Sequence, residues 1–390
     1  METFTGRLDN FFSPNKIVLG AGAARSVGAE AEALGGEKAV IVTDAGIVKT
    51  GMVEGIRESL AAQGVDAVVY DGVELETPAR VIDDCAQFAR RERCNIVIGF
   101  GGGTTLDTAK GVSLMALNAG AVLDYEGMDR VPHKGLPKIM VPTTAGSGSE
   151  VTRVFAVTDE ADKTKKVVYT IHNLADVVIL DPLLTLSLPR VLTAETGLDA
   201  LAHAIEAYTS LNGTPFSDML AMEAVRLVGK SLLAAYAKGE NIEARSDMLL
   251  GASLAGLAWA SGGLGAVHAL SYALETHYGM GHGRAVSVML PHVMEYNKIG
   301  ALEKFRAIAR ALGENIDGLP AFEGAVMAVI AVDRMVKEMH ISSRLGDYGI
   351  SKAGLPAMVA STMKQARLFR PNARTITEQD IADIYGLGLK

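Results

Sequence analysis

Short apolar segments rich in β-branched residues recur through the first half of the chain. They alternate with stretches of helical periodicity, such as 49–63 and 78–93. Continuous apolar strands that alternate with helices are typical of a parallel sheet covered on both faces. The predicted strands are KIVLG at 16–20, AVIVT at 39–43, DAVVY at 66–70, NIVIGF at 95–100, KIMVP at 138–142 and VVIL at 177–180.

The pattern changes after Asp181 and Pro182, because no strand is predicted from 186 to 390. We therefore expect an α/β domain with a parallel sheet over residues 1–185 and an all-helical domain over 186–390. A cleft between two such domains is a common place for an active site. The predicted helices cover 194–209, 216–236, 241–259, 264–276, 284–296, 302–311 and 320–338.

Composition limits the class of protein. A chain of 390 residues exceeds the usual size of one hydrophobic core, which agrees with two domains. Its formal net charge of −8 argues against nucleic-acid binding, which needs a basic stripe. Two cysteines make no disulfide framework, which favours a reducing cytoplasm. The stretch METFTGRLDNFF has charges at Glu2 and Arg7 and no apolar run, so we expect no secretory signal.

Residues 249–274 contain no Asp, Glu, Lys or Arg and are numerous enough to span a bilayer. The run is rich in Gly, Ala and Ser, however, and is interrupted by Ser261-Gly262-Gly263. Membrane helices have larger apolar residues at most positions. We therefore expect two buried helices joined at this break, and no membrane segment.

GFGGGTTLDTAK at 99–110 directly follows a predicted strand. Gly101, Gly102 and Gly103 allow a ligand to approach the backbone closely, and Thr104 can cap the helix that follows. Free N–H groups and the helix dipole at this point favour an anion such as a pyrophosphate. The alternative is a tight turn before a capped helix, with no ligand.

Two more polar segments follow strands of the same predicted sheet. Asp44 follows AVIVT, where a carboxylate can bind the adenosine ribose of NAD and would repel the 2′-phosphate of NADP; a helix cap is the alternative. Thr143, Thr144 and Ser147 lie in VPTTAGSGSE at 141–150, which is either a second ligand loop or an ordinary polar connection. Several such loops at strand ends of one sheet predict a dinucleotide crevice.

Candidate metal ligands occur in two segments. In GLDALAHAIEAY, Asp199 and His203 are four residues apart and share one face of a predicted helix. In HALSYALETHYGMGHG, a helix and a turn can bring His282 back to His268. One carboxylate with up to three imidazoles suits Fe²⁺ or Zn²⁺ with a position open to substrate. A hydrogen-bonded surface pair is the alternative for Asp199 and His203.

GGGTTLDTAK, PTTAGSGSEVT, LDP, GLDALAHAIEAY and HAL…HG occur in this order along nearly the whole chain. In this order and spacing the sequence resembles the iron-containing (group III) alcohol dehydrogenase family. The resemblance implies NAD and Fe²⁺ as cofactors, with Zn²⁺ as the alternative metal, and a homodimer or larger homo-oligomer. It assigns the same four metal ligands and the same cofactor loops. It also places Asp107 and Lys165 near the nicotinamide and its ribose, and Trp259 near the substrate.

One departure from the family concerns proton transfer. Many members have another His one turn after the first ligand of the second segment, and this chain has Tyr272 there. That His has been considered a proton relay in relatives. Tyr272, His277 or water could therefore serve here, and Asp107 is the third catalytic candidate among the side chains.

The expected activity is NAD(H)-dependent interconversion of a small alcohol and its aldehyde or ketone, with the metal as Lewis acid. If Arg153 and Arg284 face the cleft, an acidic aldehyde such as succinic semialdehyde or sulfoacetaldehyde becomes the alternative substrate. Otherwise each arginine pairs with a surface acid. A lyase of the dehydroquinate-synthase type and a non-catalytic scaffold with a structural metal are the alternatives of other classes.

Overall fold

A computed structural model describes residues 9–161 and 164–389; Glu2 and Arg7 lie outside them. Within the described residues the strands are β1 (Lys16–Leu19), β2 (Lys38–Val42), β3 (Asp66–Tyr70), β4 (Ile96–Gly101), β5 (Gly127–Met128), β6 (Lys138–Pro142), β7 (Val154–Asp159), β8 (Thr164–Tyr169) and β9 (Val177–Leu180).

Six of these strands form one parallel sheet in the order β1-β9-β6-β4-β2-β3. They are the six strands that the sequence predicts, so the α/β fold class is confirmed. Every residue of the central strands β4 and β6 is buried, because helices cover both faces. Alternate residues face different cores: Val40 and Val42 pack in one cluster, and Ala39 and Ile41 in another.

Helices of the α/β half cover the two faces of this sheet. Residues of α1 and α3 pack with Ala39 and Ile41, whereas residues of α4 and α5 pack with Val40 and Val42. Their bounds are α1 (Val27–Ala33), α2 (Ala45–Lys49), α3 (Met52–Ala61), α4 (Ala79–Arg91) and α5 (Gly103–Met115).

A second sheet of three strands, in the order β5-β8-β7, is not predicted by the hydrophobic pattern. Strands β7 and β8 are antiparallel, and β5 pairs in parallel with β8. Strand β8 has the sequence TKKVVY, and only Val168 in it is buried. A strand that begins with three polar residues and stays half exposed lacks the apolar run by which the other six were found.

The residues after β9 are helical, and no strand lies among those described from 186 to 389, as predicted. Small residues allow these helices to approach closely: a Cβ on Gly251 would lie 2.9 Å from Cγ2 of Val228. The helices are α6 (Arg190–Thr209), α7 (Pro215–Ala237), α8 (Ile242–Gly262), α9 (Ala266–Tyr278), α10 (His282–Asn297), α11 (Leu302–Ala311), α12 (Ala321–Glu338), α13 (Leu355–Met363) and α14 (Glu378–Gly388).

The uncharged run 249–274 forms parts of two helices, as predicted. Helix α8 ends at Gly262. Gly263, which follows it, has a φ of 88°, and the axis of α9 is bent by 104° from that of α8. No single helix of the described chain is long and apolar enough to cross a bilayer; this bent pair passes by length and composition alone. Most side chains of the run are buried inside the protein.

The change from strands to helices falls between β9 and α6. The domain boundary near residue 185 lies in this interval and stays a prediction.

Candidate metal and dinucleotide site

Three helices bring the predicted ligands together: ligand atoms of Asp199, His268 and His282 all lie within 4.8 Å of one another, and His203 lies beside Asp199. Asp199 and His203 lie one turn apart on α6, His268 lies on α9, and His282 is the first residue of α10. The turn between α9 and α10 returns His282 to His268, as the sequence suggested. His282 itself lies at the start of helix α10. Oδ1 of Asp199 is 3.7 Å from Nε2 of His203 and 3.6 Å from Nε2 of both His268 and His282.

These separations are too long for hydrogen bonds and suit ligands of one cation. Ligands bound at about 2.1 Å around a tetrahedral ion lie about 3.4 Å apart. Among the described residues, Oδ1 of Asp199 and Nε2 of His268 are buried without a hydrogen-bond partner. Leaving such a group unpaired costs about 1–3 kcal/mol. A divalent cation between the four side chains would satisfy both atoms, so the residues fit a metal.

Two glutamates that the sequence did not single out orient the imidazoles. Nδ1 of His268 lies 2.6 Å from Glu206, and Nδ1 of His282 lies 2.7 Å from Glu275. A carboxylate only accepts hydrogen bonds, so each Nδ1 carries a proton, and Nε2 is the nitrogen that a metal could bind. This is the usual support for a metal-binding histidine. Helical spacing could have found both glutamates, because each lies seven residues from a candidate ligand on its own helix: Glu206 from Asp199, and Glu275 from His268.

The electrostatics of the cluster favour a bound cation. Burial lowers the pKa of His203 to about 4, so its ring is neutral near pH 7. Burial by itself would lower the pKa of His268, but Glu206 and Asp199 outweigh it and raise the pKa to about 9. Burial likewise opposes ionisation of Asp199, but the imidazoles hold its pKa well below the ordinary range. A metal would therefore displace a proton, as expected of an imidazole and carboxylate site.

The glycine loop lies at the point where the strand order of the sheet reverses, between β2 and β4. It leads into α5, whose N-terminus has no side-chain cap and no acidic residue in its first turn. Such an end offers free N–H groups and a positive dipole end to an anion. A Cβ on Gly103 would lie 2.6 Å from Oγ of Ser147, so this loop and the second loop are in contact.

Asp44 lies beside the glycine loop, at the end of the neighbouring strand. Its Oδ1 accepts hydrogen bonds from the N–H groups of Gly46 and Ile47, which makes Asp44 the N-cap of α2. Its Oδ2 is 3.4 Å from the hydroxyl of Thr105, two residues after Gly103. The cap was the alternative reading of Asp44. The cap uses only Oδ1, so Oδ2 of Asp44 remains on the side of the glycine loop.

The second loop connects the two halves of the protein. A Cβ on Gly148, which has a φ of 64°, would lie 2.6 Å from Cα of Gly256 on α8. The indole N–H of Trp259 donates to the carbonyl of Ser147 at 3.3 Å, and its ring stacks on His203 with centroids 5.5 Å apart. Trp259 thus spans from the second loop to a candidate metal ligand.

Two residues expected near the nicotinamide form hydrogen bonds or ion pairs with other residues of the protein. Asp107 accepts hydrogen bonds from the hydroxyl of Ser149 and, at 2.9 Å, from the N–H of Ala156. Lys165 lies 2.7 Å from Glu275 and 2.8 Å from Glu76. In this structure both side chains are therefore engaged within the protein.

Beneath the loops lie two buried charged residues that the sequence did not single out. Lys110 donates to the hydroxyls of Ser149 and Thr152 at 2.8 and 2.9 Å, and burial lowers its pKa. Glu150 accepts from the hydroxyl of Ser253 on α8, and burial raises its pKa. These bonds fix the chain that follows the second loop. A buried role of this kind has no local sequence pattern.

Two candidates for proton transfer lie on α9. The ring of Tyr272 is stacked near His282 with centroids 6.0 Å apart, and burial raises its pKa. His277 is exposed in the last turn of the same helix. Of the two, only Tyr272 is beside the cluster of ligands.

The two arginines considered for an acidic substrate differ. Arg284 forms an ion pair with Glu195 at 2.6 Å, which is the alternative that the sequence left open. Arg153 lies over the ring of Phe12, 4.6 Å from its centroid, and its Nε is buried without a hydrogen-bond partner in the described chain. Arg153 also lines a cavity of about 370 Å³ that reaches Ala260, the residue after Trp259.

Comparison with known proteins agrees with this geometry. Residues 14–182 match the family model of iron-containing alcohol dehydrogenases, and residues 193–387 match the C-terminal model of the Fe-containing alcohol dehydrogenase family. The chain belongs to this family. The resemblance on which the sequence predictions relied is thereby confirmed.

Individual members of the family are similar over nearly their full length. The chain is 40% identical over 378 residues to the 1,3-propanediol dehydrogenase of Citrobacter freundii, with 96% of each chain covered. It is 36% identical over 377 residues to the NAD-dependent methanol dehydrogenase of Bacillus methanolicus, covering 97% of this chain and 99% of that one. A crystal structure of 1,3-propanediol oxidoreductase is 38% identical with a TM-score of 0.96, covering 98% of this chain and 100% of the other.

Replacing His268 tests the metal site. We expect His268→Ala to lower the bound metal per chain at least tenfold, since even outer-shell partners are worth about 10–100-fold in affinity. His277→Ala on the same helix is the matched control and should keep the wild-type metal content. The measurement is elemental analysis after anaerobic purification, with circular dichroism to verify folding. Equal metal in wild type and folded His268→Ala would contradict the site.

Proposed function

We propose that the protein is an NAD(H)-dependent, metal-dependent oxidoreductase that interconverts a small alcohol and its aldehyde or ketone. The observation that carries the proposal is the link made by Trp259. Its indole N–H donates to Ser147 of the second loop, while its ring stacks on His203 of the ligand cluster. A dinucleotide in the crevice and a metal on the helices would therefore lie on adjacent walls of one cleft.

The dinucleotide would be held by the loops at the ends of β2, β4 and β6. Gly101, Gly102, Gly103 and Thr104 are proposed to bind the pyrophosphate at the N-terminus of α5. Thr143, Thr144 and Ser147 would form the opposite side, and Oδ2 of Asp44, which the helix cap does not use, would accept from the adenosine ribose. The negative charge of Asp44 selects NAD over NADP, and one relative is named as NAD-dependent.

The metal would be held by Asp199, His203, His268 and His282. When bound there, a divalent ion supplies Lewis acidity to the oxygen of an alcohol or carbonyl. The family name supports iron, and zinc is the alternative for the same donor set. The side chain of His282 is 32% exposed, against 1% for His268, which leaves one side of the cluster open.

The chain itself would position the substrate and handle the proton. Trp259 would cover the substrate position and exclude water from it, while Asp107 and Lys165 are predicted near the nicotinamide end. A phenol is protonated at neutral pH, and burial raises the pKa of Tyr272 further, so its hydroxyl would pass a proton along hydrogen bonds without ionising. We propose Tyr272 as the relay, with His277 or water as alternatives.

The alternatives of other classes fit less well. A lyase of the dehydroquinate-synthase type needs basic side chains for a phosphate, but Lys110 and Lys165 already bind hydroxyls and carboxylates. A structural metal is usually closed by its four ligands, whereas His282 is open to solvent on one side. We also propose a cytoplasmic location, with which the free thiols of Cys85 and Cys94 are compatible. The homo-oligomer implied by the family resemblance stays a proposal, and light scattering would measure its size.

The choice of cofactor can be tested at Asp44. Asp44→Ser keeps a good helix cap for α2 and removes the negative charge. Removing one like-charge contact near a protein surface is worth about 1–2 kcal/mol, so kcat/KM for NADP⁺ relative to NAD⁺ should rise roughly tenfold or more. Initial rates with both cofactors measure this ratio. An unchanged ratio in a folded variant would remove Asp44 from the ribose site.

The proton relay can be tested at Tyr272. We expect Tyr272→Phe to lower kcat by about 10²-fold, the usual contribution of general acid–base catalysis, and to alter its pH profile. His277→Ala is the control and should leave both unchanged. The opposite result, a normal Tyr272→Phe and an impaired His277→Ala, would assign the relay to His277. No effect of either substitution would assign it to water.

The substrate class follows from the surroundings of Arg153. Its Nε, which has no hydrogen-bond partner among the described residues, favours an acidic aldehyde. Asp129 lines the same cavity and offsets the positive charge, and the guanidinium lies over the ring of Phe12. We therefore propose a neutral alcohol and keep the acidic aldehyde as the second candidate. NADH formation should be at least about tenfold more efficient with 1-propanol or 1,3-propanediol than with 4-hydroxybutyrate or isethionate.

The same substrate panel with Arg153→Leu distinguishes the two candidates. For a neutral substrate, kcat/KM should change little, because no charge on the substrate contacts the guanidinium. Faster turnover of the acids by wild type, lost in Arg153→Leu, would establish the acidic aldehyde. An absence of NADH formation from every alcohol by the metal-loaded protein would overturn the proposed function itself.

A further inference from the structure

Lys165 connects the two halves of the protein through an ion pair. It lies on β8 of the α/β half, and its Nζ is 2.7 Å from Oε2 of Glu275 on α9 of the helical half. The same Nζ is 2.8 Å from Oε2 of Glu76, which is also in the α/β half. The side chain of Glu275 is only 8% exposed. A carboxylate this buried requires a positive partner, and Lys165 provides one from across the cleft.

The other oxygen of Glu275 supports a candidate metal ligand. Oε1 of Glu275 lies 2.7 Å from Nδ1 of His282, so the carboxylate is held at one oxygen by Lys165 and accepts from the imidazole at the other. Fixing both oxygens fixes the plane of the carboxylate. That plane in turn sets the direction in which Nε2 of His282 points toward Asp199.

The hydrogen bonds that orient His268, in contrast, lie entirely within the helical half. Its partner Glu206 accepts from Nδ1 of His268 with one oxygen and from the N–H of Val267 with the other, both at 2.6 Å. All three residues belong to the helical half. His268 is also 1% exposed, so the core itself restrains its ring. His282, at 32% exposed, lacks that restraint and depends more on its hydrogen bond.

We propose that Lys165 is a positioning residue for the metal site, which acts by anchoring Glu275 and thereby orienting His282. This inference rests on the proposed metal-binding function. The role is separate from the cofactor contact that family resemblance implies for Lys165. It makes the affinity of a site built on helices depend on a side chain of the α/β half. Without Lys165, Glu275 keeps one partner, and its carboxylate can rotate together with the ring of His282.

The experiment is competition of a chromophoric chelator for Zn²⁺ with the full-length protein, free of cofactor. We expect Lys165→Met to weaken Zn²⁺ binding about tenfold, the lower end of what outer-shell partners contribute. Lys165→Arg restores a positive donor and should recover most of the affinity. The d–d absorption of Co²⁺ bound in place of Zn²⁺ should shift in Lys165→Met and return in Lys165→Arg, which a purely structural role would not produce.

Lys166 supplies the matched control. It is the next residue of β8, and its side chain is 22% exposed, as is that of Lys165. Because successive side chains of a strand point to opposite faces, Lys166 lies elsewhere, 3.6 Å from both Glu126 and Asp159. Lys166→Met should therefore bind Zn²⁺ as wild type does. A loss equal to that of Lys165→Met would mean that any lysine of this strand matters, and would overturn the proposal.

A double-mutant cycle adds a second line of evidence. Glu275→Gln keeps an acceptor for His282 and removes the ion pair, so it should weaken Zn²⁺ binding by itself and add little to Lys165→Met. It also serves if Lys165→Met does not fold. Zn²⁺ binding equal to wild type in the folded variants overturns the role of Lys165 alone. Failure of wild type to bind one Zn²⁺ per chain overturns the proposed metal site and this inference with it.

Discussion

One carboxylate oxygen, Oδ1 of Asp199, is the point on which the rest of the structure depends. It is buried, it has no hydrogen-bond partner among the described residues, and three imidazole nitrogens lie 3.6–3.7 Å from it. An isolated charge in such a place is strongly unfavourable. Helix α6 and the α9–α10 hairpin converge on this oxygen, and Glu206 and Glu275 fix two of the three rings around it, those of His268 and His282. These features have a common explanation if a cation completes the site.

The sequence predicted all six strands of the parallel sheet, and it indicated the four candidate ligands. Helices cover both faces of the six-stranded parallel sheet, and its central strands are fully buried. Its strands therefore consist mainly of continuous apolar runs. Asp199 and His203 share a helical face by spacing alone. Those patterns are local. They can be recognised without knowing which elements become neighbours.

What the sequence did not predict depends on contacts between distant residues. Lys165 and Glu275 are 110 residues apart, and nothing near either one indicates the other. The place of Asp107 near the nicotinamide stays a prediction, but its hydrogen bonds to Ser149 and Ala156 join residues that only the fold brings near. Strand β8 escaped for a different reason, since it is half exposed and carries lysines where a buried strand carries valine or isoleucine. Helical spacing places Glu206 on the face of Asp199, but a lone glutamate on a helix is usually exposed, so this position was not singled out.

The wall of the cleft around Trp259 has a consequence for how the chain reaches its folded state. Residues 249–274 contain no Asp, Glu, Lys or Arg, and most of their side chains are buried in helices α8 and α9. During synthesis this run emerges before α10, so it is exposed before the helix that begins at His282 can cover it. Apolar segments exposed in this way are prone to aggregate. The apolar packing of α8 and α9 in the folded protein therefore makes this segment of the nascent chain dependent on rapid burial.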